Sequence, residues 1–522
     1  MSTTAEPYAR RWQALAVLSA SLLIITIDNT ILNVALPSLR ADLGVDASQS
    51  QWIVDSYLLV FAGLLLVGGT LGDRFGRRRA LFLGLTIFAG GSLLASFSGS
   101  ANELIAARAL MGVGAAAIMP ATLSILTNIF PEEERPKAIA AWAGVSGLGV
   151  ALGPVVGGLL LEQFDWTSVF LVNIPIVVAA LIFGKILIPE SRDPLEPRVD
   201  VVGAALSIVF LTSVVWGLIE AAERGWTDST ILAAFALGGA VLAVFLVWER
   251  RVRQPMIDIA IFRNLRFSAA SLSVTLVFFG LMGTVFMLTT YLQTVLGYSA
   301  LEAGIRMIPV AVGLVVGSRL AVALAERIGA KLAVAGGLVI VAGGLEILSR
   351  ADLDSGYSLV ATALAVLGLG MALAMTPATE AIMGALPKEK AGVGSAMNDV
   401  LRELGGTLGV AVLGSLLASK YGDGMEGSVS EVPDAVATAS LDSVDSAHVA
   451  AAQLGDAGSG LIASADQAFV TAMGSTTDIA AAVALVGALV ALAFLPSGRK
   501  GSDSAPSEPE LLEPELLEPV PA

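Results

Sequence analysis

Runs of about 20 apolar residues recur along almost the whole chain, and they leave very few folds open. At 1.5 Å per residue each run is long enough to cross the ~30 Å hydrocarbon core of a bilayer as a helix. In lipid only helices and closed barrels satisfy every backbone polar group, and runs this long without alternation read as helices. About fourteen runs lie between residues 14 and 496, separated by short charged connectors. The 522 residues are 55% hydrophobic and 14% charged, with a mean hydropathy of +0.80, against ~25% charged residues in an average soluble domain. The expected fold class is an all-α polytopic membrane protein, with the lipid bilayer as its first partner. The first run carries no small-residue cleavage site and holds Asp28 at its middle, so it is read as a span and not as a removable signal peptide.

Lys and Arg residues set the orientation, because cytoplasmic loops retain them. Arg74, Arg77, Arg78, Arg79, Arg135, Lys137, Arg250, Arg251 and Arg253 fall on one side of the fourteen-span arrangement. Arg40, Arg224, Arg350 and Lys420 are the ones that fall on the other. Both termini are therefore expected in the cytoplasm. The net charge of −15 is concentrated in the outer loop at about 420–470 and in the tail SEPELLEPELLEPVPA, which is a solvated surface and no nucleic-acid footprint. VATASL and HVAAAQL within that loop have the length of short surface helices; a cap and a disordered loop are equally allowed. Cysteine is absent and His448 is the single histidine, so no thiolate chemistry, disulfide or histidine-based metal site is expected. A proton relay inside the membrane would have to run on carboxylates.

An internal repeat appears when the loops are compared. LGDRFGRR (Leu71 to Arg78) and LAERIGAK (Leu324 to Lys331) place acid, Arg and Gly alike at a constant offset. The halves read as a parallel duplication with functional sites near the midplane where they meet. The expected organisation is a six-helix bundle at 1–190, two inserted transmembrane helices with linkers at 191–267, a second six-helix bundle at 268–498, and an acidic cytoplasmic tail at 499–522. The inserted pair has no derivable function and reads as a lipid-facing addition.

Ionisable residues inside the apolar runs carry the functional signal, since translocon scales charge roughly 2.5–3.5 kcal/mol for each at mid-bilayer. In NDVLRELGG, Asn398 to Gly406, helical spacing lets Asp399 reach both Arg402 and Glu403. One cation then neutralises one of two carboxylates and leaves the other free to titrate. Asp28 sits about halfway across the first span with Asn29 and Asn33 nearby, as a proton carrier or cation contact, or else a structural acid. Asp55 lies a few residues into the second span, where an interfacial acid and a functional one are both consistent. Glu380 follows Thr376 and Pro377 near the cytoplasmic end of its span, lining the inner exit or snorkelling. Arg306, four residues after Glu302, is expected to form an interfacial salt bridge with it.

GGTLGDRFGRRR, Gly68 to Arg79, joins a tight glycine turn to an acid and an arginine cluster. Positive-inside anchoring explains the arginines but not Gly72, Asp73 and Gly76 or the second copy at Glu326 and Arg327. A conformational latch built from Gly72, Asp73, Arg74, Gly76 and Arg77 explains both, with Asp73 engaging a helix N-terminus or basic side chain in one state. In the fifth span Gly149, Gly153 and Gly157 recur every four residues, so one helix face admits another backbone, and Pro154 removes a donor.

These segments, together with LIAARALMGVGAA (Leu104 to Ala116), resemble the signature motifs of the major facilitator superfamily. IDNTILNVALP (Ile27 to Pro37), WIVDSY (Trp52 to Tyr57) and VFLVNIP (Val169 to Pro175) narrow the resemblance to its fourteen-helix drug:proton antiporter branch. The resemblance covers about residues 10 to 498; Trp166 to Ser168 departs from the tryptophan-arginine-tryptophan run common in the branch. It implies two six-helix bundles, alternating access, no cofactor beyond a proton gradient, efflux across a bacterial cytoplasmic membrane, and gating between the halves at the Gly-Pro motif. It also implies a proton-assisting or cavity-holding role for Arg108 and favours a functional Asp55.

The resulting expectation is a monomeric proton-coupled exporter of amphipathic organic compounds. Asp28, Asp55, Asp399, Glu403, Arg402, Arg108 and Glu380 would serve coupling, and Asn29, Asn33, Tyr57, Phe61, Trp142, Tyr291 and Asn398 would line the substrate path. A narrow exporter of one natural product, siderophore or lipid would use the same machinery, and a non-transporting membrane scaffold or sensor is the reading from another class. An enzyme is disfavoured because no phosphate-binding loop, metal cluster or nucleophile beside a base is found.

Overall fold

A computed structural model describes residues 8–45, 47–192, 200–253, 255–429, 432–454 and 458–496; the expected acidic tail lies outside them. The first bundle comprises α1 (Arg11–Leu43), α2 (Ala47–Phe75), α3 (Arg77–Ser96), α4 (Ala101–Ile129), α5 (Arg135–Leu161) and the broken span α6 (Ser168–Leu171) with α7 (Asn173–Leu187). The inserted hairpin is α8 (Val201–Arg224) and α9 (Ser229–Glu249). The second bundle comprises α10 (Leu265–Thr290), the broken span α11 (Ala300–Arg306) with α12 (Ile308–Ile328), α13 (Ala330–Leu348), α14 (Tyr357–Gly384) and α15 (Ala391–Met425). Two short helices, α16 (Asp434–Asp442) and α17 (Val444–Gln453), precede its last span, α18 (Ser459–Phe494). Thirteen stretches among the described residues are long and apolar enough to cross a membrane, and α5, of 27 residues, is a fourteenth long helix.

The duplication is visible in the packing. α4 lies against α2 and α3 as α14 lies against α12 and α13, and α5 lies on α1 as α15 lies on α10. Gly76 (φ 111°) and Gly329 (φ 88°) occupy matching positions between consecutive helices, in a backbone region that a Cβ disfavours. The bundles meet along a seam where α15 touches α2 and α4, and α5 touches α11, α12 and α14. The outward surfaces remain apolar, with Leu83, Phe97, Leu489 and Val244 among the exposed side chains, as a surface facing lipid requires.

Helix ends are specified locally. Ser100 caps α4 by accepting from Glu103 N, Asp200 caps α8, and Asp228 caps α9, where hydrogen bonds from Thr230 hold the Asp228 carboxyl below its ordinary range. Ser299 and Glu302 form a reciprocal capping box at α11. This occupies the Glu302 carboxylate, and Arg306 binds the Glu302 carbonyl and stacks at 3.6 Å on Tyr298 instead of making the expected salt bridge.

The inserted pair departs from the lipid-facing expectation. α9 exposes Leu232, Leu237 and Val247, but α8 packs against both α2 and α15, the two helices that meet at the seam. Thr212 approaches Gly63 of α2, and Trp226 Nε1 donates to Ser415 Oγ of α15 at 3.0 Å. The loop at 420–470 is a packed cap. α15 runs 35 residues and α18 runs 36, so both extend well beyond a bilayer core. Tyr421 Oη donates to Ser440 O at 2.9 Å, His448 pairs with Asp466 at 2.7 Å, and Val444, Ala447 and Ala451 are buried between the helices.

We define the basic end as the end where Arg77, Arg78, Arg135 and Lys390 gather. There Arg11, at the start of α1, grips Glu134, just before α5, through two hydrogen bonds of 2.7 and 2.8 Å. That pairing holds the Glu134 carboxyl below its ordinary value of 4.5. A depressed carboxylate contributes stability that is present above the unfolded value and lost as pH falls through the folded one. Thermal unfolding midpoints of the wild type should therefore fall more steeply than those of Glu134→Gln as pH drops below 4.5, with the two converging at the acid end. Parallel curves would contradict the assignment.

Candidate functional site

Asp28 of α1 and Arg108 of α4 form a contact ion pair, each about 1% exposed. The other Asp28 oxygen accepts from Asn173 Nδ2 at 3.1 Å. Asn173 also bonds Ser92 Oγ at 3.1 Å, and Ser92 donates to Phe170 O at 2.8 Å. Arg108 Nε donates to Ile53 O at 3.2 Å, and its guanidinium lies 4.4 Å from the Tyr57 ring, which stacks on Phe61. Two spans thus supply partners for one buried acid, and α2 and α3 hold those partners in turn. Removing either ion alone would strand the other in a medium that cannot solvate it.

A second charged cluster lies on α15. Arg402 Nη1 approaches Asp399 Oδ1 at 3.7 Å, while Asp399 Oδ2 is buried with no hydrogen-bond partner among the described residues. The Arg402 guanidinium sits 4.6 Å from the Phe278 ring of α10 and 5.4 Å from the Trp142 ring of α5, so it reaches across the seam. Trp142 is held by its Nε1 on Thr122 Oγ1 at 3.2 Å. Glu403, one residue further, is half-buried. It lies within electrostatic reach of Tyr57, as do Asp28 and Arg108. Tyr57 Oη is buried without a hydrogen-bond partner among the described residues, so this hydroxyl stands between the charged groups of the two bundles.

At the basic end Asp73 of α2 accepts from Gly392 N at 2.9 Å and Val393 N at 3.1 Å, in the first turn of α15. A carboxylate there answers the unpaired amides and the positive end of the helix dipole. Arg77 bonds Asp73 at 2.7 Å and carries the link to Glu389 O at 2.8 Å. Close approach is possible because a Cβ on Gly69 would sit 2.4 Å from Gly392 O. Gly72 is buried, and Arg74 lies over Phe75. The second copy is different: Glu326 and Arg327 are exposed, and Ala330 stands where Arg77 does.

Several expectations are corrected. Gly149, Gly153 and Gly157 face Thr26, Thr30 and Ile31 of α1, so the small-residue face packs inside the first bundle and not between the halves. The seam is reached instead by Pro154, against Gly304, and by Gly158, against Leu301. Tyr291 does not line a path; it is fully buried in a widened turn at the opposite end, with its hydroxyl on Asp352 O at 2.7 Å. Asn398 is fully buried against Thr379 and Asp399. Phe61 and Trp142 are also buried, whereas Asn29, Asp55 and Glu380 are half-buried. The Asn33 side chain lies outside the described residues. Asn173 and Ser92 were not singled out from the sequence, although a polar amide in an apolar run carries the same cost argument as the acids.

The Major Facilitator Superfamily pattern matches residues 18–410. The chain belongs to this superfamily. As a superfamily member it is a transporter and not an enzyme. It is 39% identical to the multidrug efflux pump LfrA of Mycolicibacterium smegmatis, covering 94% of this chain and 97% of the relative. It is 34% identical to the tetracenomycin C resistance and export protein of Streptomyces glaucescens, over 92% and 91% of the two chains. The fold matches a crystal structure of XylE carrying two Trp substitutions (TM-score 0.60, 16% identity, 93% of this chain and 96% of that one). It likewise matches the human organic anion transporter MFSD10 (TM-score 0.59, 14% identity, 91% and 99%).

For this superfamily member the Asp28–Arg108 pair has a measurable signature. Arg108→Ala should cost about 3–5 kcal/mol by leaving a buried carboxylate unanswered, and Asp28→Ala a similar amount. The double variant should lose far less than the two together, as read from thermal midpoints of purified protein in detergent. Additive losses would show that the two side chains do not act as a pair.

Proposed function

We propose that this protein is a proton-coupled antiporter that exports amphipathic organic compounds by alternating access across a bacterial cytoplasmic membrane. The observation that carries the reading is the pair of charged clusters, Asp28 with Arg108 in one bundle and Asp399, Arg402 and Glu403 in the other. They face a common seam and come near each other at Tyr57. The efflux and export roles named for relatives 39% and 34% identical over nearly the full chain support the direction. The basic end is assigned to the cytoplasm because that leaflet retains Lys and Arg.

In this reading the arrangement with Asp73 on the first turn of α15 closes the cytoplasmic end. Opening that end releases Asp73 and admits substrate to a path that starts from the half-buried Asn29 and Asp55 and uncovers Tyr57, Phe61 and Trp142, which the closed arrangement buries. Protonation of the acids from outside then favours release. Coupling requires substrate and proton to prefer different states, since a ligand that binds both equally shifts nothing. The energy source is the proton gradient, and one chain contains both halves of the machinery, so a monomer suffices. The tetracenomycin C export protein among the relatives also keeps a narrow natural-product exporter in view.

Substrate-driven proton release from protein in proteoliposomes, measured across cationic, neutral and anionic amphipaths, tests the proposal. Several unrelated compounds should release protons from the wild type, and Asp28→Asn and Asp399→Asn should each abolish it. Release by a single compound without cross-competition would select the narrow exporter, and undiminished release in both variants would remove the acids from coupling.

The closed end makes a separate expectation. Hydrogen bonds to a charged acceptor contribute roughly 1.5–3 kcal/mol each, so Asp73→Ala should shift the population towards cytoplasmic opening by at least tenfold. The chain contains no cysteine, so spin labels on Lys137→Cys and Glu326→Cys report that distance without background. An unchanged distance distribution would deny Asp73 a part in closure.

A further inference from the structure

Two buried acids outside the coupling clusters meet where the inserted hairpin begins and ends. Asp200, capping α8, is 8% exposed, and Glu249, the last residue of α9, is 3% exposed. Asp200 Oδ2 and Glu249 Oε1 each lie 2.6 Å from the position a Cβ on Gly203 would take. The two oxygens are thus within about 5 Å of one another, where like charges strongly disfavour double ionisation.

Their surroundings are unequal. Asp200 accepts from Gly203 N at 2.8 Å and from Trp248 Nε1 at 2.8 Å, and it sits at the positive end of α8. Glu249 sits at the negative end of α9 and accepts from Ile257 N at 3.1 Å through Oε2. Its Oε1 is buried with no hydrogen-bond partner among the described residues. A proton on Oε1 turns this orphan acceptor into a donor directed at the Asp200 carboxylate. Among the described residues the charged groups within reach of Glu249 are Asp200, from the α8 cap, and Lys390, from the turn before α15; Arg250 and Arg251, next along the chain, are exposed.

We infer that Asp200 and Glu249 form a proton-binding site at the basic end, holding one proton between them, and that its occupancy sets the position of the Met256–Ile257 turn. Ile257, whose amide Glu249 holds, is buried with Met256 and borders a small cavity with Phe267, Val393 and Met397. Val393 is also the residue whose amide Asp73 engages. The proton site therefore connects, through one packed turn, to the first turn of α15. Loss of the proton places two negative charges side by side, draws Glu249 towards Lys390 and loosens the turn. The site takes protons from the compartment at the basic end. It does not rest on the efflux reading.

Two readouts on purified protein test this. In infrared difference spectra across a pH titration, one protonated-carboxyl component of the wild type should be lost in Glu249→Gln and shifted to lower pH in Asp200→Asn, which removes the like charge, while the components of other acids persist. In a Met256→Cys background, the thiol-labelling rate relative to the same cysteine with Glu249→Gln should rise about tenfold as pH increases through that titration. Gln reproduces the neutral acid's shape, so the reference folds, and the ratio cancels the thiol's own pH dependence. A carboxyl difference spectrum unchanged by Glu249→Gln, or a labelling ratio that is flat with pH, would overturn the proposal.

Discussion

A charge in hydrocarbon has to be answered by protein, and the organisation of this transporter follows from where its charges find their answers. The Asp28 carboxylate requires Arg108, Arg108 requires the Ile53 carbonyl and the Tyr57 face, and Asn173 completes the shell only because Ser92 holds it in turn. Each requirement fixes one helix against another, so the ion pair also holds the packing of α1, α2, α4 and α7. Arg402 is answered differently, by two aromatic faces from opposite bundles and by one oxygen of Asp399. A cation held partly by quadrupoles is less firmly placed than one in a contact ion pair. The second cluster is accordingly the one with a dangling acceptor and a half-buried neighbour.

Backbone proximity does the rest. The seam closes at the basic end because glycines on α2 and α15 allow main chains to touch, which places two amides within reach of Asp73. The repeat copy shows how specific this is. Gly329 preserves the turn, but Ala330 cannot carry a guanidinium to a neighbouring carbonyl, and Glu326 stays in the open. Duplication kept the backbone device in both halves, while the acid seen engaging a helix N-terminus across the seam is Asp73 of the first copy.

The spans, the duplication and the buried acids were legible in the sequence because each rests on a large energy difference that apolar runs and isolated charges display directly. Other features were hidden for physical reasons. A glycine stripe shows that some backbone comes close but not which one, and α1 took the place of the expected partner across the seam. Tyr291 has the composition of a lining residue, but the hydrogen bond to Asp352 O that removes it is a tertiary fact. The cap between α15 and α18 is built from small residues whose packing carries no periodic signal stronger than that of a solvated loop. Asp200 and Glu249 sit at the ends of apolar runs, where an acid is ordinary, and their burial depends on how α8 and α9 close against each other.

The inserted hairpin touches both halves at once. On one side α8 meets α2, where Thr212 comes against Gly63. On the other, its ties to the second bundle are a hydrogen bond from Trp226 to Ser415 and the turn at Met256 and Ile257, packed near Val393. In the alternating-access reading proposed above, a hairpin in contact with both bundles would restrain how far the seam opens. α9 turns the apolar side chains Leu232, Leu237 and Val247 outward, as a lipid-facing helix requires. A purely lipid-facing addition would have no reason to contact α2 and α15 at once.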